Sequence, residues 1–520
     1  MKDSVAAFFE KYGDDEQILK LALLEDAQPD DDPPPGGPGG GGPRGKRTPA
    51  AEFSDLPEID SLDPFEELGV MASPMLRLTG DGIDDETWNT ASALSTEIEP
   101  PLPHRGMGER TGTLRLTTDA PDEPSRPAVS PLTRPTILHV RVVAGTGGGP
   151  EKTILRSPRY ADRDIYDMAV AYIYPKGDSG IEVIKAQAKQ FDAPIITIPE
   201  RGAFSLSTLV ALYRLCKKLN VSVWHAHDYK SNLFGLMLRR FWKMKLVTTV
   251  HGWTNDTFRT RMYYHVDKWC LPRYDEVIAV SPPLMQQCID IGVPKDRLTY
   301  IHNAIEPDDY QRQHTIREAR HEMGIWPDAI VMGVVSRLSV EKGVDRAIDT
   351  LAALSPTYPK LELHIVGDGP EYDRVKKQAA TLGVSERVKF WGWQSDSRRY
   401  FETFDFLLLP SHTEGFPNVV LEAMAMGVPV AATDVGGVSE LLKFGRRGVI
   451  LDPKHQDTWA THIAPLVVSE DRRSELSRQG RRRIEKYYSF AQRMEKVLAI
   501  YDRMLSIDPK HEETAWRRAA

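Results

Sequence analysis

Cysteine is scarce. Cys216, Cys270 and Cys288 are the only three in 520 residues, and they stand far apart. That spacing excludes a disulfide framework and a thiolate zinc site, and it fits a reducing compartment. Long apolar runs are missing too. None approaches the roughly 18 residues that a membrane-spanning helix needs. The opening Met1-Lys2-Asp3-Ser4 has neither the basic nor the apolar region of a secretory signal. The expected location is therefore cytoplasmic, with peripheral contact at the inner face of a membrane left open. A strongly basic balance is also absent. Residues 1–134 carry 12 basic against 27 acidic side chains, and the remainder carries 54 against 47. The net charge of −8 thus belongs to an acidic extension on a mildly basic body. Scattered basic residues on such a body do not suggest a nucleic-acid partner.

The extension reads as mostly disordered, because Pro33 to Gly42 is almost all proline and glycine and cannot bury a core. Two short helical stretches stand out in it, Ser4 to Leu24 and Asp63 to Leu76. Asp30-Asp31-Asp32 sits in low-complexity sequence and does not make a metal motif.

From Pro135 the character changes to alternating apolar β runs and helical patterns, which predicts parallel, doubly wound sheets. The β runs expected in the first half are 137–144, 168–174, 194–198, 221–225, 245–250 and 276–280, with a helix at 206–219. A second set of runs comprises 331–335, 361–366, 388–390, 404–409 and 428–432. Helices are predicted among them at 344–354, 371–382 and 419–426. The domains expected are an acidic extension (1–134), a first Rossmann-like domain for the acceptor (135–310), a second for the donor (311–485), and a closing segment (486–520). In that segment a long amphipathic helix over 487–507 is expected to return to the first domain. Ligands of such folds sit at the carboxyl edges of the strands, in the cleft between domains.

The most informative segment follows the run Phe404 to Leu409. Glu414-Gly415-Phe416-Pro417-Asn418-Val419-Val420-Leu421-Glu422 opens from a polar turn into a helix. A helix N-terminus offers unpaired N–H groups and partial positive charge to an anion. Carboxylates there cannot bind phosphate, but they can grip hydroxyls. The segment suits a ligand that is both phosphorylated and polyhydroxylated, a description that a nucleotide-sugar meets. Arg337 and Lys342 follow the run Val331 to Val335, where two cations can neutralise a diphosphate. Taken alone, they are equally well read as surface charge.

Four elements in order carry a resemblance. They are Ser336-Arg337-Leu338-x-x-Glu341-Lys342-Gly343, then Gly367-Asp368-Gly369-Pro370, then Glu414 to Pro417 with Glu422-Ala423-Met424-Ala425-x-Gly427-x-Pro429-Val430, then Gly436-Gly437-x-x-Glu440. Over residues 136 to about 505 the chain resembles retaining glycosyltransferases of family 4 (glycosyl transferases group 1). Their GT-B fold has two Rossmann-like domains facing a central cleft. The resemblance implies that Arg337 and Lys342 bind the donor diphosphate, that Glu414 meets a sugar hydroxyl, and that Glu422 grips the ribose. Gly415, Phe416, Pro417, Asn418 and Val419 would surround sugar and phosphates. Gly367, Gly369 and Trp393 would shape the nucleoside pocket, while Trp391 reads as packing. On the acceptor side it implies a glycine turn at Gly147, Gly148 and Gly149, with His251 near the reacting carbon. His227 is expected to line the cleft and His225, on alternating strand positions, to face away. A two-histidine spacing without further ligands does not indicate a metal.

The expected activity is a metal-independent, retaining transfer from a UDP- or GDP-sugar to a glycan or lipid-linked acceptor, without a cofactor, in envelope or exported polysaccharide synthesis. The rival readings are a nucleotide-sugar epimerase of the same fold and a non-catalytic, transferase-like binding protein. Arg239-Arg240-Phe241-Trp242-Lys243-Met244-Lys245 mixes cations and aromatics as an anionic membrane contact would, although a solvated helix end has the same composition.

Overall fold

The structure, a computed structural model, describes residues 134–202, 205–253 and 258–507. The acidic extension with its two expected helices lies outside the described residues. What is described forms two wholly parallel sheets. The first runs in the order β3-β2-β1-β4-β5-β6-β7, with β1 Thr136–Val142, β2 Asp167–Pro175, β3 Ile195–Glu200, β4 Val221–Ala226, β5 Lys245–Val250, β6 Glu276–Ala279 and β7 Leu298–Tyr300. The second runs β10-β9-β8-β11-β12-β13, with β8 Ile330–Val335, β9 Leu361–Val366, β10 Val388–Phe390, β11 Phe406–Leu409, β12 Val430–Thr433 and β13 Val449–Leu451. In each sheet the winding reverses once, between β1 and β4 and between β8 and β11. A reversal splays two loops apart at the carboxyl edge and leaves a crevice there.

Helices cover both faces of each sheet, so the central strands are buried on both sides and read as nearly continuous apolar runs. That is why β8, β9 and β11 were legible in sequence. The three-residue edge strands β7 and β13 are partly exposed and too short to show a period. Phe404 was expected to open β11, but the strand begins at Phe406. The preceding turn is closed by Thr403 Oγ1 donating to the Tyr400 carbonyl at 2.7 Å. Asp405 is held by the Val331 amide at 2.7 Å and Arg320 at 2.5 Å. Phe404 instead lays its ring over Gly333 and meets Phe401 edge-on.

The helix expected over 487–507 is Phe490–Leu505, and a separate helix, Glu470–Tyr487, precedes it. Ser489 breaks them and caps the second, accepting from the Gln492 amide. At this break the chain changes lobe. Arg481 and Arg483 of the first helix donate to carbonyls of the second lobe. Phe490, Met494, Val497, Ile500 and Tyr501 of the second pack under the first sheet, against Ile137, Val223, Val247 and Ile278. The crossing is pinned by Ile305 N–H to the Tyr488 carbonyl (3.0 Å) and Phe490 N–H to the Ile305 carbonyl (2.9 Å).

A Cβ on Gly333 would overlap the Phe404 ring. Gly333→Ala should lower stability by about 1–3 kcal/mol, as overpacked cores do. Adding Phe404→Leu should return part of that loss, because the two sites are in contact. Denaturant unfolding of Gly333→Ala, Phe404→Leu and the double variant measures both effects.

Candidate functional site

Both reversal points bring their loops to one junction between the sheets. On the second sheet, β8 leads into Ser336-Arg337-Leu338 and a short turn, Val340–Lys342. Gly343 closes that turn at φ +59°, and a side chain there would overlap the Pro410 carbonyl in the loop after β11. The glycine therefore sets Lys342 against the glutamate loop. Lys342 Nζ lies 2.7 Å from Glu414 Oε1, which also accepts from Ser411 Oγ at 2.7 Å. Arg337 is exposed and has no ion-pair partner among the described residues.

The Gly367-Asp368-Gly369 turn packs against the Arg337 loop. Side chains on Gly367 and Gly369 would overlap the Ser336 and Leu338 carbonyls. The Leu338 amide bonds the Asp368 carbonyl at 3.0 Å and the Glu371 amide bonds the Leu338 carbonyl at 3.0 Å. These glycines hold the Arg337 loop by backbone contact. Trp393 is about half exposed beyond them, whereas Trp391 is packed between His364 and Tyr400.

The helix Asn418–Ala425 starts after Pro417, and no side chain caps its first turn. Its free amides thus remain available to an anion. Phe416 is buried among His302 and Tyr488, and its carbonyl accepts from Asn303 Nδ2 at 2.9 Å. Its ring is packing, and only its backbone faces the junction's polar groups. Val419 is partly buried on the first turn.

On the first sheet, Gly147 and Gly148 lead into the helix Gly149–Tyr160. Gly148 N–H donates to Glu151 Oε2 at 2.6 Å, and Glu151 is in turn paired with Arg141. The lobes meet at this helix. Asn418 Nδ2 donates to the Gly149 carbonyl at 3.0 Å, and Lys152 Nζ reaches Glu422 Oε1 at 2.6 Å. Burial opposes the charge of Lys152, but Glu422 and Tyr310 outweigh it and raise its pKa. A third meeting joins Gly415 to His251, since a side chain at 415 would overlap the His251 carbonyl oxygen. Tyr300 donates to Glu440 at 2.6 Å nearby, and burial raises the pKa of that carboxyl.

His251 follows β5 and is partly buried. Its Nε2 lies 3.3 Å from His227 Nδ1. His227 is 4% exposed and sits behind His251 instead of lining the cleft surface. His225 does not face away from it: β4 ends at Ala226, so strand alternation stops there, and the two rings stack with centroids 4.5 Å apart. His225 is anchored by Tyr501 O–H (2.5 Å) and Thr249 Oγ1 (2.8 Å).

His139, a polar residue in the otherwise apolar β1, completes the group. It is buried, with Nδ1 at 2.9 Å from His227 Nε2. Its signal in the sequence was a histidine inside a β run. The ring nitrogens of His139, His225 and His227 come within 4.8 Å of one another, a three-ligand set that the sequence did not suggest. Burial lowers the pKa of all four imidazoles, that of His139 to about 3, and the buried Arg493 adds to this at His139, His225 and His251. Lys152 and Asn303 were also missed, because their partners are remote in sequence, as was the nearer Arg141–Glu151 pair.

The exposed part of the 239–245 stretch is Arg240, Phe241, Lys243 and Lys245. Arg239 is tied to Asp275 at 3.0 Å, Trp242 donates to the Val221 carbonyl at 2.8 Å, and Met244 is buried. Among the described residues no helix is long and apolar enough to cross a membrane.

Comparison with known proteins agrees with this geometry. The family described as Glycosyl transferases group 1 matches residues 315–483, and the Glycosyltransferase Family 4 matches residues 147–309. A lipopolysaccharide core biosynthesis mannosyltransferase, LpsB of Rhizobium meliloti, is 28% identical over 304 residues, spanning 57% of this chain and 84% of that protein. The N-acetyl-alpha-D-glucosaminyl L-malate synthase of Bacillus anthracis is 25% identical over 304 residues, 58% of this chain and 78% of the other. In fold, the chain is similar to HepE of Anabaena, solved in complex with UDP and glucose, at a TM-score of 0.62 and 21% identity over 70% of this chain and 99% of that one. Two family matches in tandem, over two Rossmann-like sheets, make this chain a GT-B glycosyltransferase of group 1, family 4.

Proposed function

We propose that the junction binds a nucleotide-sugar and transfers its sugar, with retention of configuration, to a glycan or lipid-linked acceptor in envelope polysaccharide synthesis. The observation that carries this reading is the grouping at one reversal point of Arg337, the Lys342–Glu414 pair and the uncapped helix start at Asn418. Arg337 is free to take a phosphate. Lys342 can exchange its carboxylate for a second phosphate, releasing Glu414 to a sugar hydroxyl. Glu422, four residues into the helix, takes the ribose hydroxyls once Lys152 leaves it.

In the reaction, the bond from the anomeric carbon to the phosphate oxygen breaks and negative charge gathers on the leaving diphosphate. Two cations and a helix start aimed at that charge stabilise it without reorganising, which in this family reading takes the place of a divalent metal. The acceptor hydroxyl attacks on the face that the phosphate vacates. Its proton passes to the departing phosphate oxygen, so no separate base is needed. His251 and Glu414 hold the flattened, positively charged sugar in line. The relatives' names support an envelope glycan as acceptor. The exposed Arg240, Phe241, Lys243 and Lys245 support a peripheral membrane contact.

Incubation with UDP-, GDP- and ADP-sugars, with product analysis, tests this. A new glycoside, formed equally in EDTA, is expected. A C2-epimer of the donor would favour the epimerase reading instead, and unreacted donor would favour a binding protein. Arg337→Ala combined with Lys342→Ala should cut turnover by about 10²-fold or more, the scale of lost charge-stabilising donors. Near-native turnover in that double variant would discard the site. Because Lys152 occupies Glu422 before the ribose does, Lys152→Gln should tighten nucleoside diphosphate binding several-fold by calorimetry. Weaker binding would mean that Lys152 itself contacts the nucleotide.

A further inference from the structure

Two helix starts meet face to face at the junction. On the first lobe they are Gly149 and Lys152, three residues apart on the helix Gly149–Tyr160. On the second they are Asn418 and Glu422, four residues apart on the helix Asn418–Ala425. Both spacings put the pair on one helix face. Asn418 Nδ2 donates to the Gly149 carbonyl at 3.0 Å, and one turn further on Glu422 takes Lys152 Nζ at 2.6 Å. Beyond Lys152, the first helix is fastened to the connection between the lobes. Arg156 Nη2 lies 2.5 Å from Asp309 Oδ2, and Tyr160 donates to Glu306. The backbone of Lys152 is thus held, and only its flexible four-carbon stem and ammonium can move.

Lys152, Glu306, Tyr310, Asn418 and Glu422 line one small cavity between the lobes. Among the residues that line it, Asn418 Oδ1 is the one buried polar side-chain atom without a partner. The orientation of that amide is fixed, because the Gly149 carbonyl can only accept and therefore faces the nitrogen. A buried carbonyl oxygen left bare is costly, and such a group calls for an explanation. An ammonium has three hydrogens to give. Glu422 takes one, and the Tyr310 hydroxyl lies close enough to Lys152 to favour its charge. Asn418 and Glu422 are one helical turn apart, so the same ammonium reaches either by a change in its stem alone.

We propose that Lys152 is a positioning residue for the transfer: when ribose hydroxyls take Glu422, its ammonium moves one turn along the donor helix to Asn418 Oδ1 and keeps the lobes joined there. The inference rests on the function proposed above. It adds that Lys152 is more than a counter-ion that the ribose displaces. Losing the Lys152–Glu422 pair outright would cost the lobes a contact at the moment when the cleft must exclude water. Moving the same ammonium to Asn418 retains a bond between them, and holds the helix start that faces the diphosphate against the glycine turn.

Lys152→Met in the full chain keeps the length of the stem and removes its donors. Calorimetry with UDP and GDP, and turnover with the sugar donor that the screen above identifies, give opposite signs for it. Nucleotide binding should tighten several-fold, because Glu422 is vacant beforehand, while kcat falls about tenfold, the scale of one hydrogen bond from a charged group. Tighter binding with native kcat would overturn the proposal, since Lys152 would then be a counter-ion and nothing more. In a double-mutant cycle, Lys152→Met with Asn418→Ala should lose no more kcat than the worse single variant, because both remove one bond. Losses that multiply would also overturn it. If a variant does not fold, a crystal structure of the native protein with UDP or GDP decides: Lys152 Nζ within hydrogen-bond distance of Asn418 Oδ1 is expected, and an ammonium still on Glu422, or turned to the phosphates, refutes it. A native protein that binds neither nucleotide and forms no glycoside fails the function proposed above, and this inference with it; nucleotide binding with Lys152 unmoved fails the inference alone.

Discussion

The approach of Gly415 to the His251 carbonyl sets the geometry on which everything else depends. It is a backbone-to-backbone meeting of two lobes, at the ends of the strands that carry their most reactive loops. No side chain fits there, so the distance between the glutamate loop and the histidine cluster is governed by hard-sphere overlap and not by a flexible contact. Around it lie directional bonds of the same kind: Asn418 to the Gly149 carbonyl, Asn303 to the Phe416 carbonyl, Tyr300 to Glu440. The chain crosses between lobes at Tyr488 and Ser489, so the helix Phe490–Leu505 ties the first sheet covalently to the second.

Electrostatics follow from that spacing. Each of the two site glutamates is neutralised by a lysine, Glu414 by Lys342 in its own lobe and Glu422 by Lys152 across the junction. A carboxylate in a low-dielectric cleft without such a partner costs several kcal/mol. The lysines make the site tolerable in the absence of a ligand. The histidines solve the same difficulty differently. Burial leaves them neutral, and they satisfy one another's nitrogens in a chain.

The fold was legible because parallel strands buried on both faces carry their own signature, and β5 and β9 begin and end where the apolar runs do. It was illegible where that signature fails. β7 and β13 are three-residue edges, and Phe404 is an apolar turn residue. The loops of the site were legible because their glycines serve local backbone packing that leaves a pattern: Gly343 against Pro410, Gly367 and Gly369 against the Arg337 loop. Lys152 and Glu422 stand 270 residues apart, and nothing local marks them as partners. The expectation that His225 faces away failed because it assumed the strand continued through residue 227.

The sequence by itself determined two doubly wound sheets, and it determined which loops at their carboxyl edges carry cations, carboxylates and a free helix start. Periodicity, turn glycines and capping act over a few residues, so they can be read along the chain. Only the tertiary structure decided which lysine faces which glutamate, that His139 joins the histidine group, and how closely the lobes approach. Those contacts come from docking two rigid sheets against each other, and the rigid-body position of one sheet on another leaves no local trace in either.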